Sequence, residues 1–215
     1  MTEQSQTIEY GIVLSSPEER NRVLRNTYWL LALSMLPTVL GAWLGVETGL
    51  SKVLSGWVGL VVILAGGFGF IYAIEKTKNS AAGVPVLLGF TFFMGLMISS
   101  LIAAVLGFKN GSSLVMTAFG GTAGVFFVMA SLASVIKRDL SGMGKWLFVG
   151  SSVGMMVISM MGIAIFSAYM LYDIKQIVDG GETNYISATL ALYLDIINVF
   201  QSLLALLGIM GGEKD

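Results

Sequence analysis

The feature that most constrains this chain is a repeated one: apolar runs of 19 or more residues, separated by short clusters that hold most of its charge. A bilayer's hydrocarbon core is about 30 Å thick, and a helix crosses it in about 20 apolar residues. No water is present there to satisfy backbone N–H and C=O groups, so only helices and closed barrels span it. A barrel would read as alternating segments of roughly ten residues. The reading is therefore an all-α, polytopic membrane helix bundle. Only 12% of the residues are charged and 55% are hydrophobic, against roughly 25% charged in a soluble domain.

Residues 1–26 read as a polar tail and residues 27–212 as the bundle. Nothing in the tail resembles the apolar core of a signal peptide, so no cleavage is expected. Pro17-Glu18-Glu19 after Ser15-Ser16 reads as a helix start, with Pro and acids at the positive end. Spans are expected near 27–46, 53–74, 83–107, 112–136 and 186–211. Pro37 falls inside the first span, and Pro85 in the first turn of the third. Gly41/Gly45, Gly120/Gly124, Gly150/Gly154 and Gly208/Gly212 share a small-xxx-small spacing suited to helix packing.

The stretch from Trp146 to Tyr172 is ambiguous. It is apolar for 27 residues, too long for one upright span and too short for two with a turn. It reads either as one tilted helix or as two short ones turning at Ser159–Gly162. The clear count by sequence is six spans. Gly180 suits a helix C-cap, and Thr183 or Asn184 the N-cap of the last span.

Lys and Arg near span ends set orientation. The tail carries Arg20, Arg22 and Arg25, loop 75–82 carries Lys76 and Lys78, and loop 137–145 carries Lys137, Arg138 and Lys145. The alternate loops carry Lys52 and Lys109. This predicts a cytosolic N-terminus, with the C-terminus cytosolic for six spans and external for seven.

Several functions are excluded. A net charge of −1 without a basic tract argues against nucleic acid as a partner. The absence of cysteine removes disulfides and thiolate sites, and the absence of histidine removes the usual switch near neutral pH. Metalloprotease, serine-triad and P-loop motifs do not occur. The lipid bilayer is the evident partner, and oligomeric state is not encoded in any pattern found.

Two carboxylates stand out. Asp173 and Asp195 lie in or at the end of apolar stretches on consecutive segments. A charge near the bilayer centre costs about 2.5–3.5 kcal/mol or more, so such residues generally have a task. Asp195 belongs to a stripe of Ala188, Ala191, Asp195, Asn198, Ser202, Ala205, Gly208 and Gly212, which falls on one helical face. The stripe would serve either for close packing or to line a polar cavity. Tyr169 and Gln176, one turn either side of Asp173, are candidate hydrogen-bond partners for it.

Two carboxylates that share a site cannot both ionise easily, so they hold a proton between them and titrate as a unit. Doubly ionised, they would offer oxygen ligands to Ca²⁺, which makes Asp173 and Asp195 a possible metal site. No Arg lies between Arg25 and Arg138, so protonation, a cation or a Lys from a span end must neutralise the pair. Aspartic proteases also use such pairs. The intramembrane kind resembles Tyr172-Asp173, but its second aspartate follows Gly-x-Gly, whereas Asp195 follows Leu192-Tyr-Leu. An aspartyl protease is thus a minor alternative, and the expectation is that the chain is not an enzyme.

Val23-Leu-Arg-Asn-Thr-Tyr28, Gly120-Gly-Thr-Ala123, the block from Tyr172 to Tyr185 and Leu192-Tyr-Leu-Asp-Ile-Ile-Asn-Val-Phe200 together resemble the Bax inhibitor (transmembrane Bax inhibitor motif) family, in its bacterial YccA-like branch. The resemblance runs from about residue 20 to the end. It implies a bacterial inner-membrane protein of seven helices, with the last helix central. It also implies an aspartate pair acting as a pH-sensitive latch for a Ca²⁺ leak, at positions matched by Asp173 and Asp195. The branch is further associated with modulating the membrane protease FtsH, its tail exposed to the cytosol. No cofactor is implied beyond Ca²⁺ as a transported or bound ion. The departure is the short 146–173 stretch, read as a shortened fifth/sixth hairpin; a six-span version would invert the last helix.

Overall fold

In the computed structural model, residues 16–54, 56–135 and 155–213 are described. They form helices α1 (Pro17–Glu47), α2 (Leu50–Val53), α3 (Gly56–Thr77), α4 (Gly83–Leu106), α5 (Gly111–Val135), α6 (Met155–Asp179) and α7 (Tyr185–Gly211). All but α2 are long and apolar enough to cross a membrane, which gives six candidate spans among the described residues. The protein is a polytopic helical bundle.

Local chemistry sets the helix ends. Ser16 caps α1 in a capping box: its Oγ accepts from Glu19 N (3.2 Å), and Glu19 returns a carboxylate to Ser16 N (3.0 Å). The polar start and the first span are one helix of 31 residues, which continues through Pro37. Pro85 lies in the first turn of α4, as expected. Gly180 closes α6 with φ +82°, a conformation that favours glycine. Asn184 then caps α7, accepting from Ile186 N and Ser187 N. Its amide also donates to Lys78 O (3.1 Å) and Asn79 Oδ1 (2.7 Å), tying the α6–α7 turn to the α3–α4 turn.

α7 is the axis. From Tyr185 to Gly208 it has no exposed residue, and it touches α1, α3, α4, α5 and α6. Tyr193, wholly buried, shares a hydrogen bond with Thr38 of α1 (2.9 Å) and donates to the Thr91 carbonyl of α4 (3.3 Å). By contrast α3 buries only Gly59 and Ile74 and offers Trp57, Phe68 and Tyr72 to its surroundings.

α1 and α4 meet backbone to backbone. A Cβ on Gly41 would stand 2.3 Å from Phe92 O, and one on Gly95 would stand 2.1 Å from Thr38 O. Gly41 and Gly45 therefore fulfil the packing role that their spacing suggests. Gly208 and Gly212 pack against the side chains of Val105 and Phe108. Gly120 and Gly124 do not: neither has an atom within 4 Å of the place a Cβ would occupy, and only Gly121, between them, approaches Leu203. The Gly150/Gly154 pair lies outside the described residues.

The long apolar stretch has a definite answer at Ser159–Gly162, where no turn occurs: α6 is continuous from Met155 to Asp179. Residues 146–154 lie outside the described part. The direction of the helices decides the rest. Arg20 at the start of α1 donates to Val178 O at the end of α6, and α7 begins beside them. At the opposite end, Asn110, just before α5, donates to Gly211 O at the end of α7, and Lys109 N donates to Glu213 O. α5 rises from there until Phe126 meets Tyr28. α6 ends at that same level, and its Gly162 packs against Ser202, well down α7.

So α5 and α6 run parallel, and the chain between Val135 and Met155 joins opposite ends of the bundle. Residues 16 and 213 also stand at opposite ends. α7 starts at the same end as α1, so the last helix is not inverted as the six-span alternative expected; six candidate spans lie among the described residues, and residues 136–154 lie outside them.

Candidate functional site

The geometry of the site follows from the tight α6–α7 hairpin. Asp173 lies six residues before the end of α6, and Asp195 ten residues after the start of α7. At about 1.5 Å per residue both are roughly 9–15 Å below the hairpin turn. Asp173 is half-buried and Asp195 is 5% exposed. Their carboxyl groups lie close enough to interact across the α6–α7 interface. Oδ2 of Asp195 is buried and has no hydrogen-bond partner among the described residues, which adds a desolvation cost of about 1–3 kcal/mol or more. Such a pair is expensive to keep.

Above the pair, toward the amino-terminal end, a cavity of about 260 Å³ lies between α6, α7 and their turn. It is lined by Tyr172, Asp173, Gln176, Glu182, Ala188 and Ala191, among others. Below the pair the two helices close: a Cβ on Gly162 would be 2.5 Å from Ser202 Oγ. Asp173 therefore lines a polar cavity, with Asp195 buried near it, between an open and a tightly packed half of one helix interface.

The other residues singled out in the sequence fare differently. Gln176 donates to Tyr172 Oη (2.6 Å), so two polar groups of the cavity wall hold each other. Asn198 donates to Leu194 O of its own helix (2.7 Å) rather than reaching across to another. Ser202 serves the close contact with Gly162. Tyr169 is half-buried on α6. Ala188 and Ala191, members of the stripe, make room for the cavity. The stripe thus serves both readings, as cavity wall above Asp195 and as packing surface below it.

The lysine nearest Asp173 along the chain is committed elsewhere. Lys175, 7% exposed, is ion-paired with Asp179 one turn on. Sequence reasoning missed Glu182 as a cavity residue. Its Oε1 accepts from Asn184 N (2.7 Å) and its own N donates to Gln176 O (3.2 Å), so the turn is folded back over the cavity. The signal lay in the charge of the short turn, which composition alone assigns to solvent.

Among the described residues, no group of three or more Asp, Glu, His or Cys is arranged to hold a metal ion. Ca²⁺ prefers six to eight oxygens, so the two carboxylates supply only part of a coordination shell.

Comparison with known proteins agrees with the architecture. The family model described as "Inhibitor of apoptosis-promoting Bax1" matches residues 20–159 and 147–212, the two stretches overlapping where the chain is short. An uncharacterised protein of Neisseria meningitidis serogroup A is 34% identical, over 90% of this chain and 93% of its own length. An Escherichia coli K12 protein named "Modulator of FtsH protease YccA" is 33% identical, over 91% of this chain and 96% of its own. Its counterpart in an O6:H1 strain, with the same identity and coverage, is named "Inner membrane protein YccA". Near-complete coverage on both sides, with a central last helix and the acidic pair on its hairpin, leaves one conclusion: the chain belongs to the Bax inhibitor family.

Proposed function

We propose that this protein is a proton-gated cation leak of the bacterial inner membrane, with Asp173 and Asp195 as the latch and Ca²⁺ as a permeant ion. What supports the reading is the closeness of the Asp173 and Asp195 carboxyl groups, with Asp173 lining the polar cavity between α6 and α7. With the proton in place, the carboxyls bridge α6 and α7 and block the way between the cavity and the packed half below. Without it, two like charges face each other in a poorly solvated site. Repulsion then parts the helices, and the oxygens become ligands for a passing cation.

The sign follows directly. Raising the pH removes the bridging proton, so flux should rise with pH. Asn can donate an N–H to the remaining carboxylate without borrowing a proton, so Asp195→Asn should stay closed at every pH. Ca²⁺ entry into proteoliposomes, followed across pH, is the test. Flux in D195N that tracks the wild-type profile would sink the reading.

Orientation belongs to the same proposal. Arg20, Arg22, Arg25, Lys76, Lys78 and Lys175 all lie at the amino-terminal end of the bundle, against Lys52 and Lys109 at the other. The positive-inside rule places that end, and the cavity mouth, in the cytosol.

A second reading is supported by the Escherichia coli relative's name: modulation of an FtsH-type membrane protease. The Arg20 bond to Val178 O (3.3 Å) fastens the start of α1 to the site's hairpin, so a partner drawing on residues 1–15 would act beside the cavity. Deleting residues 1–15, which spares the capping box, should abolish modulation of FtsH while leaving insertion intact. Modulation that persists would rule out the tail. The two readings separate cleanly, because only the first needs the aspartates.

A further inference from the structure

A second cavity, of about 320 Å³, lies on the far side of α7 as a crevice between α1 and α5. Its wall on α1 is the face made by Tyr28, Ala32, Met35, Val39 and Ala42, a run of three- and four-residue steps about 21 Å long. That exceeds half the thickness of a hydrocarbon core of about 30 Å, the share of one leaflet. Of the three hydroxyls in the wall, Thr38 is bonded to Ser34 O and Tyr193, and Thr122 to Ala118 O. The third, on Tyr28, is a single polar group, short of the two to four partners that a retained water needs. The crevice opens sideways, between the exposed rims Val39, Phe119 and Phe127.

One end of this crevice is charged. Tyr28 and Phe126 meet edge to face across its amino-terminal mouth, with ring centroids 5.9 Å apart. Arg25, exposed and one turn above Tyr28, stands at the edge of the same helical face. A guanidinium is a fork that fits a phosphate with two hydrogen bonds. A lateral apolar slot of leaflet depth beneath an aromatic ring and an arginine is complementary to one kind of molecule. We propose that this crevice binds a phospholipid, one acyl chain lying between α1 and α5 and the phosphate held by Arg25, with a preference for anionic headgroups.

The test is native mass spectrometry of the full-length protein in mild detergent, with lipid re-added as phosphatidylglycerol or phosphatidylcholine. The wild type should keep one phospholipid per chain and favour phosphatidylglycerol several-fold. A123F, which fills the crevice, should lose that lipid without loss of helical content. R25Q, at an exposed position where folding is not at stake, should keep the acyl chain but lose most of the headgroup preference. A wild type that retains no lipid, or an A123F protein that retains it equally, would overturn the proposal. An R25Q protein with undiminished preference would overturn the role of Arg25. A dimer whose formation A123F prevents would show that a second copy, not a lipid, occupies the crevice.

Discussion

The α1–α4 interface and the α6–α7 interface are both made by long apolar helices, yet they are filled in opposite ways. In the first, Gly41 and Gly95 bring backbones so close that no Cβ fits on either side. In the second, Gly162 meets Ser202 closely, and the half nearer the turn holds a cavity, the side chains of Gln176 and Glu182, half-buried Asp173 and buried Asp195. Lipid is as apolar as leucine, so membrane helices gain little from hydrophobicity when they meet and rely on packing and polar contacts. The comparison separates a frame from a working part. α1–α4 is the frame, and α6–α7 holds the acidic groups on which the proposed latch rests.

This division can be broken at the frame first. Gly95→Ala places a methyl about 2 Å from the Thr38 carbonyl, and overpacking of this kind costs about 1–3 kcal/mol, occasionally more. Thermal unfolding in detergent should show a large loss, and the same change at Gly120, which faces open space, should be neutral or slightly stabilising by up to about 1 kcal/mol. Equal effects at both sites would dissolve the distinction. The next effect in size is Tyr193→Phe, which removes the hydroxyl linking α7 to Thr38 and Thr91. Hydrogen bonds between membrane helices average about 0.6 kcal/mol and reach about 1.7, so a loss in that range is expected from the same melts. A loss larger than that of Gly95→Ala would make this link, rather than the α1–α4 glycine contact, the principal tie of the bundle.

The sequence carried more about α7 than about its neighbours. The stripe through Asp195 was readable because a three-and-four spacing is a property of one helix. That Asp173 and Asp195 lie on adjacent antiparallel helices was readable because a short polar connection joins α6 to α7. Gly180 and Asn184, whose roles are local, were readable at the ends of that connection for the same reason. What could not be read depends on which helix lies beside which. Tyr193 finds Thr38 across 155 positions, and no pattern along the chain announces it. Gly41 and Gly120 carry the same spacing signal, yet only Gly41 has a backbone opposite. The 27-residue run was ambiguous by length alone; the hydrogen bonds at the two ends of the bundle settled the direction of α6 and α7.

The account rests on Asp173 and Asp195 acting as one unit. The direct measurement is a double-mutant cycle on Ca²⁺ flux in proteoliposomes across pH, with D173N, D195N and the double variant beside the wild type. Coupled groups give non-additive effects. The account predicts that either single change abolishes the rise of flux with pH, and that the double change does nothing further to it. Independent, additive shifts, or a pH response that survives in the double variant, would contradict it.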